Sequence, residues 1–172
     1  MQFKQLLIVF FLLNVALSAC GQSSREVSTP LTLTAISSGL ENLGESKSME
    51  AVWISSEDQW AGLIDRTSGN ARILIQPVAR PHVDFAEYGV LLIRMGEKPT
   101  GGYRLQLMAD KANVENRIAL VPLQWIEPEK GAITTQVITY PYLMVRMAKG
   151  SFDRIDVVDQ DGTVRFRLDV TE

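Results

Sequence analysis

Gly89-Val90-Leu91-Leu92-Ile93-Arg94 and Tyr103-Arg104-Leu105-Gln106-Leu107 are two strand-like runs, and Met95-Gly96-Glu97-Lys98-Pro99-Thr100-Gly101-Gly102 joins them. A connection between neighbouring β-rich runs is ordinarily a hairpin or a corner. This one is longer than a tight turn needs. Pro99 fixes its own φ and drives Lys98 toward an extended conformation. Gly101 and Gly102 permit positive φ and close backbone approach. Tyr103 puts an amphipathic ring at the root of the next strand. The loop is thus part stiff and part bare backbone, and it is able to present main-chain donors and acceptors to a partner. The same residues also serve as ordinary turn punctuation.

Outward from this loop the mature chain reads as mainly β. Leu31 to Ile36 alternates apolar and polar residues, Met49 to Ile54 suits a second strand, and Arg72 to Val78 is a short apolar run. Between them Ser55-Ser56-Glu57-Asp58-Gln59-Trp60 signals a helix start. Ser56 and Gln59 fit a capping box, and the acidic pair suits the positive end of the helix dipole. Trp60, Leu63 and Ile64 share one face, with Trp60 expected as a core anchor, and Gly69 is able to end the helix. Val83 to Phe85 reads as the approach to the central run.

Arg117 to Trp125 is strand-like, and Pro122 within it predicts an edge position or a bulge. Ile133 to Met147 is one long β-branched and aromatic stretch broken by Pro141. Arg154 to Val158 and Thr163 to Val170 flank Asp159-Gln160-Asp161-Gly162, a strong hairpin signal. Val164, Phe166, Leu168 and Val170 share one face of that last strand, and Arg165, Arg167 and Asp169 the face turned to water. Six or more short strands separated by turns suggest a β-sandwich. The expected organisation is a single β-rich domain over residues 31–172.

The N-terminus reads as a processing signal. Lys4 precedes an apolar run from Leu6 to Leu17, too short to cross a membrane comfortably, and Leu17-Ser18-Ala19-Cys20 resembles a bacterial lipobox. Residues 1–19 are then a lipoprotein signal peptide, and residues 20–30 a lipidated Cys20 with a polar tether. Acyl chains on Cys20 bury methylenes worth about 0.8 kcal/mol each, which anchors the chain in a membrane of the cell envelope. The absence of Asp just after Cys20 resembles the pattern sorted to the outer membrane in a Gram-negative source. The bland alternatives are a buried free thiol or a plain secretory signal.

Charge and composition narrow the function. The chain carries 17 basic and 20 acidic residues, net −3, with no basic stripe, so nucleic acid is not an expected partner. With one cysteine there is no disulfide within the chain, and stability must come from burial, which 46% apolar residues permit. His82 is the only histidine; it follows Pro81 in an expected loop and reads as a surface residue. Asp156, Asp159 and Asp161 lie near Gly162, but Asp-Gly turn chemistry accounts for them without a metal. No glycine-rich phosphate loop opens a helix. No catalytic residues, no metal and no small-molecule cofactor are expected.

Pro99-Thr100-Gly101-Gly102-Tyr103 after an apolar strand resembles the hallmark of the protease-complex subunit PrcB family, in its C-terminal domain. Val83-Asp84-Phe85 is similar to the start of that family's strand, and Gln136-Val137-Ile138-Thr139-Tyr140-Pro141-Tyr142 to its Thr-x-Tyr-Pro segment. The resemblance spans roughly Val83 to Val145. The loop is also similar to the Asn-Pro-Thr-Thr-Gly-Tyr loop of chagasin-type protease inhibitors, from which it departs at Lys98 and Gly101. These likenesses imply an immunoglobulin-like, chagasin-like β-sandwich with one short amphipathic helix. They imply a protein partner, a protease or protease complex, met by Lys98, Pro99, Thr100, Gly101, Gly102 and Tyr103. Tyr140 and Tyr142 read either as an aromatic patch beside that loop or as a strand bend packed into the core. The alternative function is a structural envelope lipoprotein in which the loop only supports the fold, with Tyr103 acting as a tyrosine corner does.

Overall fold

The computed structural model describes residues 30–43, 47–70 and 81–170, with residues 64–70 described by backbone alone. The signal peptide, Cys20, the tether and the apolar run Arg72 to Val78 lie outside the described residues. Among the described residues nine strands and one helix follow in chain order: β1 (Leu31–Gly39), β2 (Glu50–Ile54), α1 (Glu57–Asn70), β3 (Tyr88–Arg94), β4 (Arg104–Leu107), β5 (Lys111–Glu115), β6 (Ile118–Ile126), β7 (Tyr142–Ala148), β8 (Arg154–Val158) and β9 (Val164–Asp169). The sheet runs β2-β3-β7-β1-β5-β6-β8-β9, with β4 paired to β6. Neighbours are antiparallel except β6 and β8, which are parallel. The two ends of the order, β2 and β9, approach one another, so the sheet curls into a nearly closed barrel or sandwich. The mainly β class with one short helix holds.

Burial explains the central strands. Leu91, Ile93, Leu143, Val145 and Met147 point into the barrel core with Leu105, Val121, Leu123 and Trp125. Val90, Leu92, Tyr142 and Met144 point the other way, into a second core closed by Trp60 and Leu63 of α1. β3 and β7 are therefore buried on both faces, which is why β3 reads as an unbroken apolar run. The helix starts as the sequence predicts. The Gln59 N–H donates to Ser56 Oγ at 3.3 Å, and Gln59 Oε1 accepts the Ser55 N–H at 2.8 Å. Trp60 is 5% exposed and its ring tilts against Phe85 at 6.2 Å.

Several expectations change. Of the hairpin and the corner that the sequence allowed between β3 and β4, the loop is the corner: the two strands do not pair, and it crosses from one part of the sheet to another. Val83 to Phe85 is not strand: the Asp84 carboxylate accepts the Ala86 N–H and its carbonyl accepts the Tyr88 N–H, which makes a turn. β5 is an added strand, joined to β6 by Asn116 and Arg117, both at positive φ. β1 continues past Ile36 through a bulge to Gly39.

Pro122 lies inside the sheet rather than at an edge. It is accommodated at a seam, where β5 pairing ends at Leu120 and β4 pairing begins at Leu123. Its carbonyl accepts the Met108 N–H at 3.1 Å, so its missing donor falls where no strand needs one. Residues 133–141, expected as strand, are irregular.

The β8–β9 hairpin forms as its sequence predicts. Asp159 Oδ1 accepts the N–H groups of Asp161 and Thr163, and Oδ2 takes Arg165 Nε at 2.6 Å. Burial works to raise the Asp159 pKa, and these three donors outweigh it and hold the carboxyl below its ordinary range. Phe166, Leu168 and Val170 pack on the barrel core. Arg167 and Asp169 meet water as expected, whereas Arg165 folds over the Trp125 ring.

Candidate functional site

The corner between β3 and β4 is built against a second irregular segment, residues 133–141. Met95 is buried and donates its N–H to the Pro141 carbonyl at 2.9 Å. Gly96 has φ +77° and a Cβ there would stand 2.8 Å from the Lys47 carbonyl oxygen, so only glycine fits. The Glu97 N–H then donates to that same carbonyl at 2.9 Å. Lys98 and Thr139 exchange N–H to carbonyl bonds of 2.8 and 2.9 Å. Thr139 Oγ1 donates to the Thr100 carbonyl at 2.9 Å, and the Gly101 N–H donates to the Thr135 carbonyl at 2.9 Å. The two segments thus run side by side as one rigid double loop.

This pairing corrects one expectation. The bare backbone at Gly101 is not turned out to a partner; it faces Thr135, whose Oγ1 occupies the place of a Cβ at Gly101. Gly102, at φ +92°, is exposed beside Pro128 and Thr134. Pro99 is exposed at the tip, and Thr100 is half-buried. Lys98 Nζ lies 5.3 Å above the Tyr103 ring, a cation–π contact. Tyr103 itself is half-buried against the barrel core. Its hydroxyl makes no hydrogen bond to a described residue, so it does not form the tyrosine corner.

The two tyrosines of the crossing segment part company. The Tyr140 hydroxyl donates to Glu97 Oε2 at 2.9 Å, and Lys47 Nζ stands 3.3 Å from the same oxygen. The Tyr140 hydroxyl, then the Lys47 ammonium, hold the Glu97 carboxyl below its ordinary pKa. Glu97 in return pushes Tyr140 and Lys47 up. Tyr142, expected in the same patch, is 3% exposed in the second core, with its hydroxyl 3.1 Å from Ser37 Oγ. It offers little surface, because the alternation of β7 turns it into the second core with Val90, Leu92 and Met144, its ring against Gly39 of β1.

The residues that sequence reasoning missed are apolar. Ile133, Val137 and Ile138 are exposed to 104, 60 and 56% of their full surface. Leu40 and Met49 stand close by: the Leu40 carbonyl accepts the Tyr140 N–H, and the Met49 backbone borders Gly96. Both are also exposed. The signal was present in the sequence, since neither alternate face of Ile133 to Tyr140 is wholly apolar and so neither could be buried as a strand. The three carboxylates near Gly162 are apart in role. Asp156 pairs with Arg154 and Arg167, and Asp159 with Arg165, while Asp161 is exposed. Among the described residues no group of three or more His, Cys, Asp or Glu is placed to hold a metal. His82 is exposed in an irregular stretch.

Comparison with curated proteins and with solved structures returned no match for this chain. Comparison with protein-family models returned the one described as PrcB C-terminal, matched over residues 90–148. That span runs from β3 through both segments of the double loop to the end of β7. Over this stretch of β3 to β7, about a third of its length, the chain is similar to the PrcB C-terminal family.

Proposed function

We propose that this protein is a non-enzymatic, membrane-anchored lipoprotein that binds a protease or protease complex through the double loop. The observation that carries the reading is the exposure of Ile133, Val137 and Ile138 on a segment pinned to the loop by main-chain bonds. Exposed large apolar side chains gathered at one place mark a contact surface, and a rigid platform binds without the entropy cost of ordering. Pro99, Gly102, Lys98 over Tyr103, and Tyr140 extend that surface. The PrcB family name supports a protease complex as the partner class. Lipidation of Cys20 places the protein in the cell envelope, at the outer membrane in a Gram-negative source. The reading keeps the immunoglobulin-like, chagasin-like sandwich as its frame, with the loop end set against a cleft of the partner.

Capture of the full chain from its own cells, in detergent, tests this. A variant with Val137→Ser and Ile138→Ser is expected to melt like wild type and to lose a protease that wild type retains. If the variant retains that protease, or wild type captures none, the reading fails. One observation favours the second reading, a structural envelope lipoprotein. The Gly101 N–H and both main-chain groups of Lys98 are used inside the chain, as a motif that serves only the fold would use them.

A further inference from the structure

We infer that the cleft between β1 and β4 is a strand-accepting site, which takes an extended, carboxylate-bearing segment of the partner polypeptide as an added β-strand. The inference rests on the protein-binding reading and names how the partner is held. Among the described residues β4 has β6 as its only paired neighbour, and β1 pairs with β5 at Leu31 and Thr32 alone, although its pairing with β7 runs on to Gly39. Beyond Thr32 β1 parts from β5, and β1 and β4 lie near each other without pairing. They enclose a cleft of about 290 Å³ lined in part by Ser38, Gly39, Gly102, Tyr103 and Leu105.

The main-chain groups facing this cleft follow from the ladder. In an antiparallel pair, residues alternate between exchanging both bonds with the partner and turning both away. Trp125 exchanges bonds of 2.8 and 3.1 Å with the Gln160 side-chain amide instead of with β4. Its opposite residue, Leu105, therefore turns N–H and C=O away from β6 and into the cleft. On β1 the Leu33 N–H goes to the Asp110 carbonyl at 2.8 Å, on the β5 side, so Thr34 bonds to Arg146 of β7. Counting along β7 by twos, Met144 and Tyr142 bond to Ser37 and Gly39, which leaves Ser38 turned into the cleft. Gln160 covers the edge of β6 that β8 leaves open. The facing edges of β1 and β4 have no such cover among the described residues. Donors and acceptors spaced along two strand edges are complementary to the backbone of another strand.

Charge selects the occupant. Arg104 is exposed at the cleft and Lys98 stands over Tyr103, and neither takes part in an ion pair among the described residues. A carboxylate side chain on the added strand supplies the missing partner.

The test uses the full chain in detergent and a synthetic nine-residue peptide alternating valine and glutamate. In the free protein the amides of Ser38 and Leu105 are expected to exchange rapidly with solvent, and saturating peptide slows both by at least about tenfold. A valine–lysine twin is expected to bind at least about tenfold more weakly. Arg104→Glu reverses that preference while exchange at buried Val121 stays unchanged. Peptide methylated on alternate backbone nitrogens does not bind. The proposal is overturned if Ser38 and Leu105 are already protected in the free chain, which makes its own segment the occupant. It is equally overturned if protection appears with protein concentration alone, which makes a second copy the occupant. It also fails if millimolar peptide leaves both amides unchanged, or if methylated peptide binds as well. Protease capture that depends on Val137 and Ile138 but comes without peptide protection removes the strand site and leaves the binding reading standing; peptide protection without any capture does the reverse.

Discussion

Lys98 and Thr139 exchange two main-chain hydrogen bonds, 2.8 and 2.9 Å, and so lock two irregular segments into one body. A corner loop held at one point would sway. Held by this bridge, by Gly101 on Thr135 and by Thr139 on Thr100, it presents a fixed outline.

That locking makes Gly101 a fold residue. Gly101→Ala puts a methyl against Thr135 Oγ1, and overpacking of this kind costs about 1–3 kcal/mol. Thr135→Ala removes the obstructing oxygen, so the double variant is expected to regain most of the loss. Denaturant unfolding of the four-member cycle measures the coupling. Additive losses would show that Thr135 Oγ1 is not what confines the glycine.

Tyr142 and Tyr140 are expected to separate cleanly. Tyr142→Phe loses the bond to Ser37 and costs about 0.5–1.5 kcal/mol with protease capture intact. Tyr140→Phe frees Glu97 from its principal donor, and the Glu97 carboxyl titrates closer to its ordinary 4.5. Carboxyl chemical shifts followed against pH read this directly. An unmoved Glu97 midpoint would remove the Tyr140 hydrogen bond as its cause.

Asp159 gives the hairpin a dependence on acid. Its folded pKa lies below the ordinary 3.8, so its stabilisation is fully present above that value and is lost as pH falls through the folded one. Asp159→Asn is therefore expected to be less stable than wild type at pH 7. The gap should close as pH drops below about 4. A gap that is constant with pH would mean that shape, not charge, makes the Asn variant weak.

Trp60→Ala empties the second core and is expected to cost about 3–5 kcal/mol. Far-ultraviolet dichroism and thermal unfolding follow the loss of α1. A variant that melts like wild type would show that the helix does not hold that face.

The local signals in the sequence were good guides. Ser56 and Gln59 place the helix start, and Asp159 to Gly162 place a hairpin, because both act within a few residues. Pro122 misled because its tolerance depends on which strands end beside it, and Met108 and Leu120 settle that from elsewhere in the chain. β5 was illegible for a related reason: its turn, Asn116-Arg117, reaches positive φ without glycine, and only Ala112 in it is fully buried. At the site, Pro99, Gly101 and Gly102 announced a special loop. That Thr135 and Thr139 would close over it was hidden, since β-branched residues predict strand until their partners are known.

β1 lies between β7 and β5, and without it the sheet falls into two pieces with raw edges. Ser37 and Tyr142 meet although they stand 105 positions apart in the chain. β1, ahead of the other described strands in the chain, is thus among the last that is able to settle, and closure over so long a span makes for slow folding. Until β7 arrives, β1 is a loose ribbon with one apolar face, open to mispairing with any neighbour.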